Sequence, residues 1–327
     1  MLPSIPDSGY PRESAERDRW ILARRGPPAA GDPRRPAKIS VEDERTERGD
    51  VVPTATLFLT NRECPWRCLM CDLWKGATET PVGAGVLPEQ IRGALASLRS
   101  VRPRQIKLYN SGSFFDPGAV APEDLPRIAR MLAGFERVIV ESHPDLVGER
   151  CSAWRRMLEA ELEVAMGLET VHPQILPLLN KRMMLDGFRR AADSLRADGI
   201  ALRVFVLLGL PFVSREESAF WTRRSIEAAF DFGATAVSVI PTRTGNGAME
   251  ELESRGAFEP PNLEMLEEAA AFGVALHRGR VFADLWDVER LRRCPACFPA
   301  RVERLRCMNL SQIPYAPVDC DVCGAAP

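Results

Sequence analysis

Residues 55–76 read ATLFLTNRECPWRCLMCDLWKG, and the fold can be worked out from this stretch. An apolar, strand-like run at 56–60 leads into three cysteines, Cys64, Cys68 and Cys71, with the spacing C-x3-C-x2-C. Thiolates are the usual ligands of iron-sulfur clusters, and three on one loop can hold three irons of a 4Fe-4S cube. The fourth iron would then lack a protein ligand and be open for chemistry. A zinc site would need a fourth ligand close by, and the loop offers none.

The composition is that of an ordinary globular protein. The chain has 327 residues, of which 45% are apolar and 27% charged, and its net charge is -2. No apolar run approaches the roughly 18 residues of a membrane span, so we expect no membrane association. The first residues are polar and Pro-rich without a signal peptide, which predicts a cytoplasmic protein whose nine cysteines are not disulfides. The near-neutral charge gives no general attraction to nucleic acid.

Apolar runs alternate with helical patterns from residue 51 onwards. The runs predict six strands, at residues 54–60, 105–110, 137–142, 162–168, 201–208 and 234–240. The patterns between them predict helices at residues 88–99, 122–132, 150–159, 185–197 and 215–232. Repeated strand-helix units with nearly continuous apolar strands indicate a parallel sheet with right-handed crossovers. We therefore predict an α/β fold, a partial (β/α)6 TIM-like barrel with a cysteine-rich C-terminal extension.

This pattern divides the chain into three predicted segments. Residues 1–50 are rich in Pro, Arg and Glu and form an N-terminal arm, with one short helix near 13–25 and a loop after it. Residues 51–245 form the barrel core. Residues 246–327 form the C-terminal extension, which carries a helix at 262–277 and the remaining paired cysteines. An arm packed on the barrel and a poorly ordered tail are both compatible with the sequence.

Polar residues follow all six predicted strands, where parallel barrels place their chemistry. The cysteine loop follows the first strand, and Asn110 ends the second. His143 and His172 follow the third and fourth strands, and each could instead be a satisfied structural histidine. We expect the substrate to be contacted at this mouth by Tyr109, Asn110, His143, His172, Thr242 and Arg243. Six polar strand ends on one side of a barrel favour an enzyme.

A C-x3-C-x2-C loop after the first strand of such a barrel resembles the radical S-adenosylmethionine (SAM) superfamily. The resemblance implies that Cys64, Cys68 and Cys71 bind a 4Fe-4S cluster, whose open iron receives the amine and carboxylate of SAM. It implies that one electron from the cluster cleaves SAM to a 5'-deoxyadenosyl radical, which abstracts hydrogen from the substrate. A low-potential electron donor, flavodoxin or ferredoxin, is therefore an expected partner.

Further residues match positions that hold SAM in this superfamily. Ser111-Gly112-Ser113 resembles the turn that receives the amine, with Ser113 in place of the usual acidic residue. The segment MGLETVHPQILPLLNKR at 166–182 resembles one shared by the coproporphyrinogen dehydrogenase and Elongator catalytic-subunit branches, in which Glu169 and Lys181 would hold the cofactor. The cofactor-binding residues implied are Met70, Ser111, Gly112, Ser113, Glu141, Glu169, Lys181, Gly209 and Pro211. An ordinary rim ion pair is the alternative for Glu141, Glu169 and Lys181.

The C-terminal cysteines predict a second metal site. Cys294 and Cys297 form one C-x2-C pair, and Cys320 and Cys323 form another. Two such pairs suit a structural zinc ion, because each supplies half of a tetrahedron. A second 4Fe-4S cluster would use the same four thiolates, so both metals remain open. Cys307 lies between the pairs as a fifth thiol or a core residue, and Cys151 is expected to be buried.

The stretches TNRECPWRCLMCDLWKG, IKLYNSGSFFDP and MGLETVHP look most similar to a branch near the Elongator catalytic subunit that includes the radical partner of archaeosine synthase. That partner cleaves a lysine C-N bond on a 7-deazaguanine base of tRNA. The resemblance implies a modified nucleoside or tRNA base as substrate, lyase or transferase chemistry, and tRNA as a candidate partner. Arginines clustered at 278–306 could track phosphates or form a solvated helix face. The alternatives are a radical SAM enzyme on a small metabolite and a degenerate zinc-dependent RNA-binding module.

Overall fold

One curved sheet organises the chain in the computed structural model, which describes residues 8–27 and 31–324. Its eight strands run in the order β1 to β8, with β1 antiparallel to β2 and the rest parallel. The strands are β1 (Lys38–Arg45), β2 (Val51–Leu59), β3 (Gln105–Asn110), β4 (Arg137–Glu141), β5 (Glu161–Glu169), β6 (Ala201–Leu208), β7 (Ala236–Pro241) and β8 (Arg280–Ala283). The predicted α/β partial barrel is confirmed.

The helices pack on the sheet or on the loops at the ends of its strands. They are α1 (Ser14–Leu22), α2 (Val86–Ser97), α3 (Leu125–Met131), α4 (Glu149–Met157), α5 (Ile175–Leu178), α6 (Leu185–Ala197), α7 (Arg215–Asp231), α8 (Ala248–Ser254), α9 (Leu263–Ala275) and α10 (Phe298–Ser311). The sheet curls into a half-barrel, since Tyr109 on β3 and Phe205 on β6 meet across two intervening strands at 6.2 Å between ring centroids. None of the described helices is long and apolar enough to cross a membrane.

The predicted number of strands is wrong, because the sheet has eight strands rather than six. The six predicted strands correspond to β2 through β7. The segment KISVEDER, predicted as loop, is β1, whose charged composition is unlike that of a buried strand. The final strand, RVFA, has only four residues and gives no clear period. The division into three segments stays a prediction. Each segment contributes to the one sheet: β1 lies in the predicted arm, β2 to β7 in the core and β8 in the extension.

The described part of the N-terminal arm packs on the barrel. Its helix was predicted near residues 13–25 and is found as α1. Trp20 and Ile21 of this helix are buried in a hydrophobic cluster with Ile175 and Met249. The Tyr10 hydroxyl, which precedes the helix, donates a hydrogen bond to the Leu178 carbonyl at 2.8 Å. These contacts place the arm beside the loops that follow β2 and β5.

Buried ion pairs fill the lumen near the amino ends of the strands. Glu163 on β5 is completely buried and accepts hydrogen bonds from Arg203 at 2.5 Å and from Arg137 at 2.6 Å. Glu44 on β1 accepts from Arg203 at 2.5 Å and also pairs with Lys107. Burial alone would raise the pKa of Glu44, but Arg203 and Lys107 lower it to about 2. The charged strand β1 is therefore held to the sheet by ion pairs of Glu44 inside the lumen.

Helix α10 covers the free edge of β8 with two side-chain amides. The Asn309 amide bonds the Ala283 N–H at 2.8 Å and its carbonyl at 2.9 Å. The Gln312 amide likewise accepts from the Val281 N–H at 2.6 Å and donates to the Val281 carbonyl at 2.8 Å. These bonds satisfy backbone groups that an edge strand leaves unpaired. The C-terminal extension is thus part of the closure of the half-barrel.

Candidate functional site

The cysteine loop leaves the carboxyl end of β2 and is fixed by bonds to three other loops. The Cys64 N–H donates to the Ser111 carbonyl at 3.1 Å, and the Leu69 N–H donates to the Leu179 carbonyl at 2.9 Å. The Asn246 amide donates to the Leu69 carbonyl at 2.8 Å. The loop is therefore held between the ends of β3, β5 and β7, as the predicted meeting of strand ends requires.

The three thiols of this loop suit a cluster better than a single ion. Burial raises the pKa of Cys64, Cys68 and Cys71 to about 12, and metal binding would favour the thiolates. Three thiolates on one loop can each bind one iron of a 4Fe-4S cube, so the donor set fits that cluster.

A buried ion pair lies next to the cysteine loop. Lys181 Nζ donates to Glu169 Oε1 at 2.5 Å, and both side chains are less than a tenth exposed. The pair lies over Gly167, where an added Cβ would be only 2.2 Å from Lys181 Nζ, and Glu169 follows a bulge in β5 with φ of 65°. Burial opposes the charge of Lys181, but the Glu169 carboxylate outweighs it and raises the pKa of the lysine. The Lys181 cation in turn favours the Cys68 thiolate.

Glu141 ends β4 on the same side of the lumen. Burial raises the pKa of Glu141 to about 8. The Lys181 charge lowers this pKa, and the Glu169 carboxylate raises it further. Its carboxyl group is therefore largely protonated at neutral pH and can donate a hydrogen bond. The side chain has no hydrogen-bond partner among the described residues. This position of Glu141, Glu169 and Lys181 at a buried site is unlike that of a solvated rim ion pair.

The Ser111-Gly112-Ser113 turn follows β3 and lies against the cysteine loop. Gly112 is closely packed, since an added Cβ would lie 3.1 Å from the Ala119 Cβ and 3.2 Å from the Arg62 carbonyl oxygen. The Ser113 hydroxyl accepts a hydrogen bond from the His143 N–H at 2.8 Å. Asp116 is the nearest acidic residue after this turn in the chain, but it accepts from the Gly118 N–H within its own turn at 2.8 Å.

His143 connects the cysteine loop to the loop that carries Lys181. Its ring stacks on Trp66 with centroids 3.8 Å apart and planes 11° from parallel. Nδ1 accepts from the Asp145 N–H at 3.2 Å, so the proton resides on Nε2, which lies 3.0 Å from the Lys181 carbonyl oxygen. Burial and the Lys181 charge lower the pKa of His143 to about 4. These contacts favour the structural alternative for this histidine.

His172 is also satisfied by its own surroundings. Its Nδ1 accepts from the Gln174 N–H at 3.2 Å, and Nε2 lies 3.3 Å from a Glu217 carboxylate oxygen. The ring also packs against Trp221, with centroids 4.6 Å apart. The residue therefore caps the chain entering α5. Its predicted contact with the substrate stays a prediction.

The remaining candidates surround the carboxyl ends of the strands. Asn110 is 2% exposed and Thr242 is 4% exposed, and neither side chain has a hydrogen-bond partner among the described residues for its buried polar atoms. Arg243 is turned towards β8, where it donates to Asp284 and to the Trp286 carbonyl, both at 2.5 Å. Tyr109 points into the lumen. The unpaired amide and hydroxyl make Asn110 and Thr242 candidates for ligand binding.

The predicted cofactor-binding residues Met70, Gly209 and Pro211 lie near the hydrophobic cluster that receives α1. Met70 packs at the edge of this cluster. Gly209 has φ of 86°, a conformation that favours glycine, and its N–H donates to Ser218 Oγ at 3.1 Å. An added Cβ there would lie 2.6 Å from the Pro261 Cδ. Pro211 is buried two residues later. Their roles in binding SAM stay predictions.

The four C-terminal cysteines converge at one point, as predicted. The sulfurs of Cys294, Cys297, Cys320 and Cys323 all lie within 4.8 Å of one another. Cys294 and Cys320 are 3.9 Å apart, and Cys297 and Cys323 are 3.8 Å apart. The backbone N–H groups of Cys297 and Ala296 lower the pKa of the Cys294 thiol to about 7, which favours the thiolate that a metal requires. This group could bind a metal ion.

The other two cysteines lie outside both sites. Cys151 is 1% exposed on α4, as expected. Cys307 is on α10, where its sulfur lies 3.7 Å from a Glu303 carboxylate oxygen. The arginines of residues 278–306 do not form one surface, because Arg280 is buried in the lumen against Glu163. Arg301 of the same set pairs with Glu267.

Sequence reasoning missed several residues that hold the site together. Trp66 supports the cysteine loop by stacking on His143. Arg67 donates a hydrogen bond to the Cys64 carbonyl at 2.5 Å, and Asn246 donates one to the Leu69 carbonyl at 2.8 Å. Of these, only Asn246 had a visible signal, since it lies between two glycines at residues 245–247. Asp18 of α1 bonds the residues on both sides of Lys181, a relation that no spacing in the sequence indicates.

Comparison with known structures identifies this arrangement. A radical SAM methyltransferase from Sphaerobacter thermophilus is 17% identical, with a TM-score of 0.52 over 76% of this chain and 76% of that chain. The fold is that of the radical SAM enzymes. The chain is also similar to the archaeal Elp3 of Methanocaldococcus infernus, at 18% identity and a TM-score of 0.48. The matched region covers 62% of this chain and 52% of that chain.

Curated proteins are also similar to this chain. The beta subunit of archaeosine synthase from Methanosarcina acetivorans is 26% identical over 285 residues, which are 82% of this chain and 82% of that protein. No family model matches the chain. The three half-buried thiols of the cysteine loop lie beside the buried Lys181 cation, which fits the cluster that the sequence resemblance implies there. The superfamily resemblance predicted from the sequence is confirmed at the level of the fold.

Proposed function

We propose that this protein is a radical SAM enzyme. The observation that carries the proposal is the cysteine loop itself: Cys64, Cys68 and Cys71 are three half-buried thiols on one loop, beside the Lys181 and Glu169 pair, in a radical SAM fold. When bound and reduced, the 4Fe-4S cluster would cleave SAM and supply a 5'-deoxyadenosyl radical that takes hydrogen from the substrate. The protein residues would bind the cluster, orient SAM and exclude water.

The charged residues give each part of SAM a complementary partner. Lys181, with the positive charge that Glu169 stabilises, would pair with the methionyl carboxylate. The Glu169 carboxylate and the Ser113 hydroxyl would face the amine. Protonated Glu141 would donate to a ribose hydroxyl, and Gly112 allows the backbone to approach the ligand. Met70, Gly209 and Pro211 would contact adenine, and Ser111 would belong to the turn that receives the amine.

An anaerobic assay tests this function. Wild-type protein reconstituted with iron and sulfide should bind about four irons at the loop and release 5'-deoxyadenosine on reduction. Cys68→Ala should lose both, because a cube with two thiolates is not retained. Cys307→Ala is the matched control, since this half-exposed cysteine lies on α10, and it should keep both. Release of 5'-deoxyadenosine by Cys68→Ala would contradict the proposal.

For the substrate, we infer a modified nucleoside or a tRNA base, with C-N lyase chemistry of the archaeosine-synthase kind. The support is the 26% identity to a protein named as the beta subunit of archaeosine synthase, over 82% of both chains. That name also supports a partner subunit. A flavodoxin or ferredoxin would supply electrons, and a cytoplasmic location would suit such a reaction. Addition of bulk tRNA and the partner should increase 5'-deoxyadenosine release, and no stimulation would favour the small-metabolite alternative.

At the C-terminal cysteines we propose zinc rather than a second cluster. A Zn–S bond of about 2.3 Å gives tetrahedral sulfur separations of about 3.8 Å. The separations of 3.9 Å and 3.8 Å between Cys294 and Cys320 and between Cys297 and Cys323 agree with this. The catalytically degenerate RNA-binding alternative shares this zinc site. It predicts RNA binding without 5'-deoxyadenosine release, so the same assay separates the two functions.

A further inference from the structure

Three aromatic rings form a platform inside the half-barrel, which we define as Phe58, Tyr109 and Phe205. The Phe58 and Tyr109 ring centroids are 6.0 Å apart with planes at 78°, and those of Tyr109 and Phe205 are 6.2 Å apart with planes at 85°, so neighbouring rings meet edge to face. The rings come from β2, β3 and β6 and meet across the lumen, so they lie on its inner surface. Trp286, after β8, extends the platform at 5.1 Å from Phe58.

The platform is partly exposed rather than part of a closed core. Each of its three residues is partly exposed, whereas the residues beside it on its strand are buried. Below it lies the ion-pair layer, in which Glu163 and Arg203 are almost completely buried. Leu108 pairs with Val140 in the register of β3 and β4, so Glu141 at the end of β4 lies level with Tyr109. The partly exposed rings therefore lie where β4 reaches its carboxyl end, above the ion-pair layer.

Polar groups without protein partners surround these rings. The Tyr109 hydroxyl, the Ser238 hydroxyl and the Glu141 carboxyl have no hydrogen-bond partner among the described residues. Ser238 lies level with Phe205 on the neighbouring strand, as the register of β6 and β7 shows. An apolar floor with donors at its edge is complementary to a planar heteroaromatic ring, which has an apolar face and a polar edge. An aliphatic group would match only one of these features.

We propose that the platform of Phe58, Tyr109 and Phe205 binds the heteroaromatic ring of the substrate by stacking. The Tyr109 and Ser238 hydroxyls would read the polar edge of that ring. The proposal rests on the radical SAM function, because it places the ring beside the Glu169 and Lys181 pair, which lies over Gly167 on β5, the register partner of Phe205. It deepens that function by assigning the residues that would select a nucleobase over a small aliphatic metabolite.

Ring binding can be measured on the reconstituted full chain with SAM present to fill the cofactor site. The probe is guanosine, followed by saturation-transfer NMR and by equilibrium dialysis, with ribose 5-phosphate as the ring-free comparison. Wild-type protein should bind guanosine through its ring protons and discriminate against ribose 5-phosphate. Phe205→Leu should weaken guanosine binding by at least about fivefold, in line with the loss of one stacking contact. Tyr109→Phe should keep the stacking and weaken binding less.

The matched control is Phe220→Leu, on α7, because this phenylalanine is 54% exposed and distant from the lumen in the fold. It should bind guanosine as the wild type does, and all variants should retain their iron. Equal binding by wild type and Phe205→Leu, equal binding of ribose 5-phosphate, or no guanosine binding by an enzyme that releases 5'-deoxyadenosine would overturn the platform. Guanosine binding by a protein that never releases 5'-deoxyadenosine would instead overturn the proposed function alone.

Discussion

Asp18 and Asn180 are joined by a hydrogen bond of 2.7 Å, from the Asn180 amide to the Asp18 carboxylate. The same amide donates to the Arg67 carbonyl in the cysteine loop at 2.8 Å, and Asp18 also accepts from Arg182 at 2.7 Å. Asn180 and Arg182 have φ of 56° and 60°, which side-chain-bearing residues rarely adopt. The turn that presents Lys181 is therefore strained, and the N-terminal helix holds it in place.

Replacing Asp18 should impair SAM binding without removing the cluster. In Asp18→Ala, the two residues beside Lys181 lose their shared acceptor, so the lysine samples other positions. We expect the SAM concentration for half-maximal 5'-deoxyadenosine release to rise about fivefold, equivalent to one hydrogen bond of roughly 1 kcal/mol. Iron content and maximal rate should change little. Glu16→Ala on the same helix is the control, since its 4.0 Å pair with Arg19 is exposed, and a similar rise there would contradict this role for Asp18.

The buried ion-pair layer should be a major source of stability. Glu163→Gln leaves the cations of Arg137, Arg203 and Arg280 with one fewer buried partner. Breaking a buried network in this way costs about 3 to 5 kcal/mol. Urea unfolding of the cluster-free protein should show that loss. Glu136→Gln should cost less than about 1 kcal/mol, because its pair with Arg104 is about half exposed, and equal losses would argue against the layer.

The sequence predicts the parallel strands well because they are buried on both faces. The run QIKLYN is found as β3 with the predicted bounds, and ALRVFVLL is found as β6. The strand β1 was missed because its charges are neutralised only by residues far along the chain: Glu44 pairs with Lys107 and Arg203. The local composition of a segment does not reveal such long-range pairing.

The candidate site follows the same rule. The cysteines could be located from spacing alone, since three thiols on one loop are a local feature. His143 looked like a substrate contact, because its position after a strand is visible but its stack on Trp66 is not. Asp18 gave no signal, since its partner Asn180 is 162 residues away. The aromatic platform was seen only at Tyr109, because strands that are not neighbours in the sheet contribute its other rings.

Loss of the C-terminal metal should loosen the edge of the barrel. Cys320→Ser removes one of four converging sulfurs, so we expect about one zinc per chain to be lost while the iron at the cysteine loop is retained. Helix α10 begins directly after Cys297, so amide exchange should rise at Ala283, whose backbone Asn309 bonds. Cys307→Ser is the control and should retain zinc. Zinc retained by Cys320→Ser, or unchanged exchange at Ala283 after zinc loss, would contradict this prediction.

Glu141 should make the stability of the cluster-free protein fall as pH rises. Its pKa in the folded state is about 8 against an ordinary value of 4.5, so folding favours the protonated form. Below about pH 4.5 both states are protonated and the carboxyl has no effect. Between pH 4.5 and 8, the unfolded state releases its proton first, and stability is progressively lost. Glu141→Gln, which cannot ionise, should escape this loss.

Thermal unfolding of wild type and Glu141→Gln at several pH values measures this contribution. The difference between their melting temperatures should be small near pH 5 and should grow in favour of Glu141→Gln towards pH 8. The comparison cancels the other titrating groups, because both proteins share them. Glu161→Gln is a control on the sheet, since this side chain is half exposed. A difference that stays constant with pH would show that the Glu141 carboxyl ionises as freely in the folded protein as in the unfolded chain.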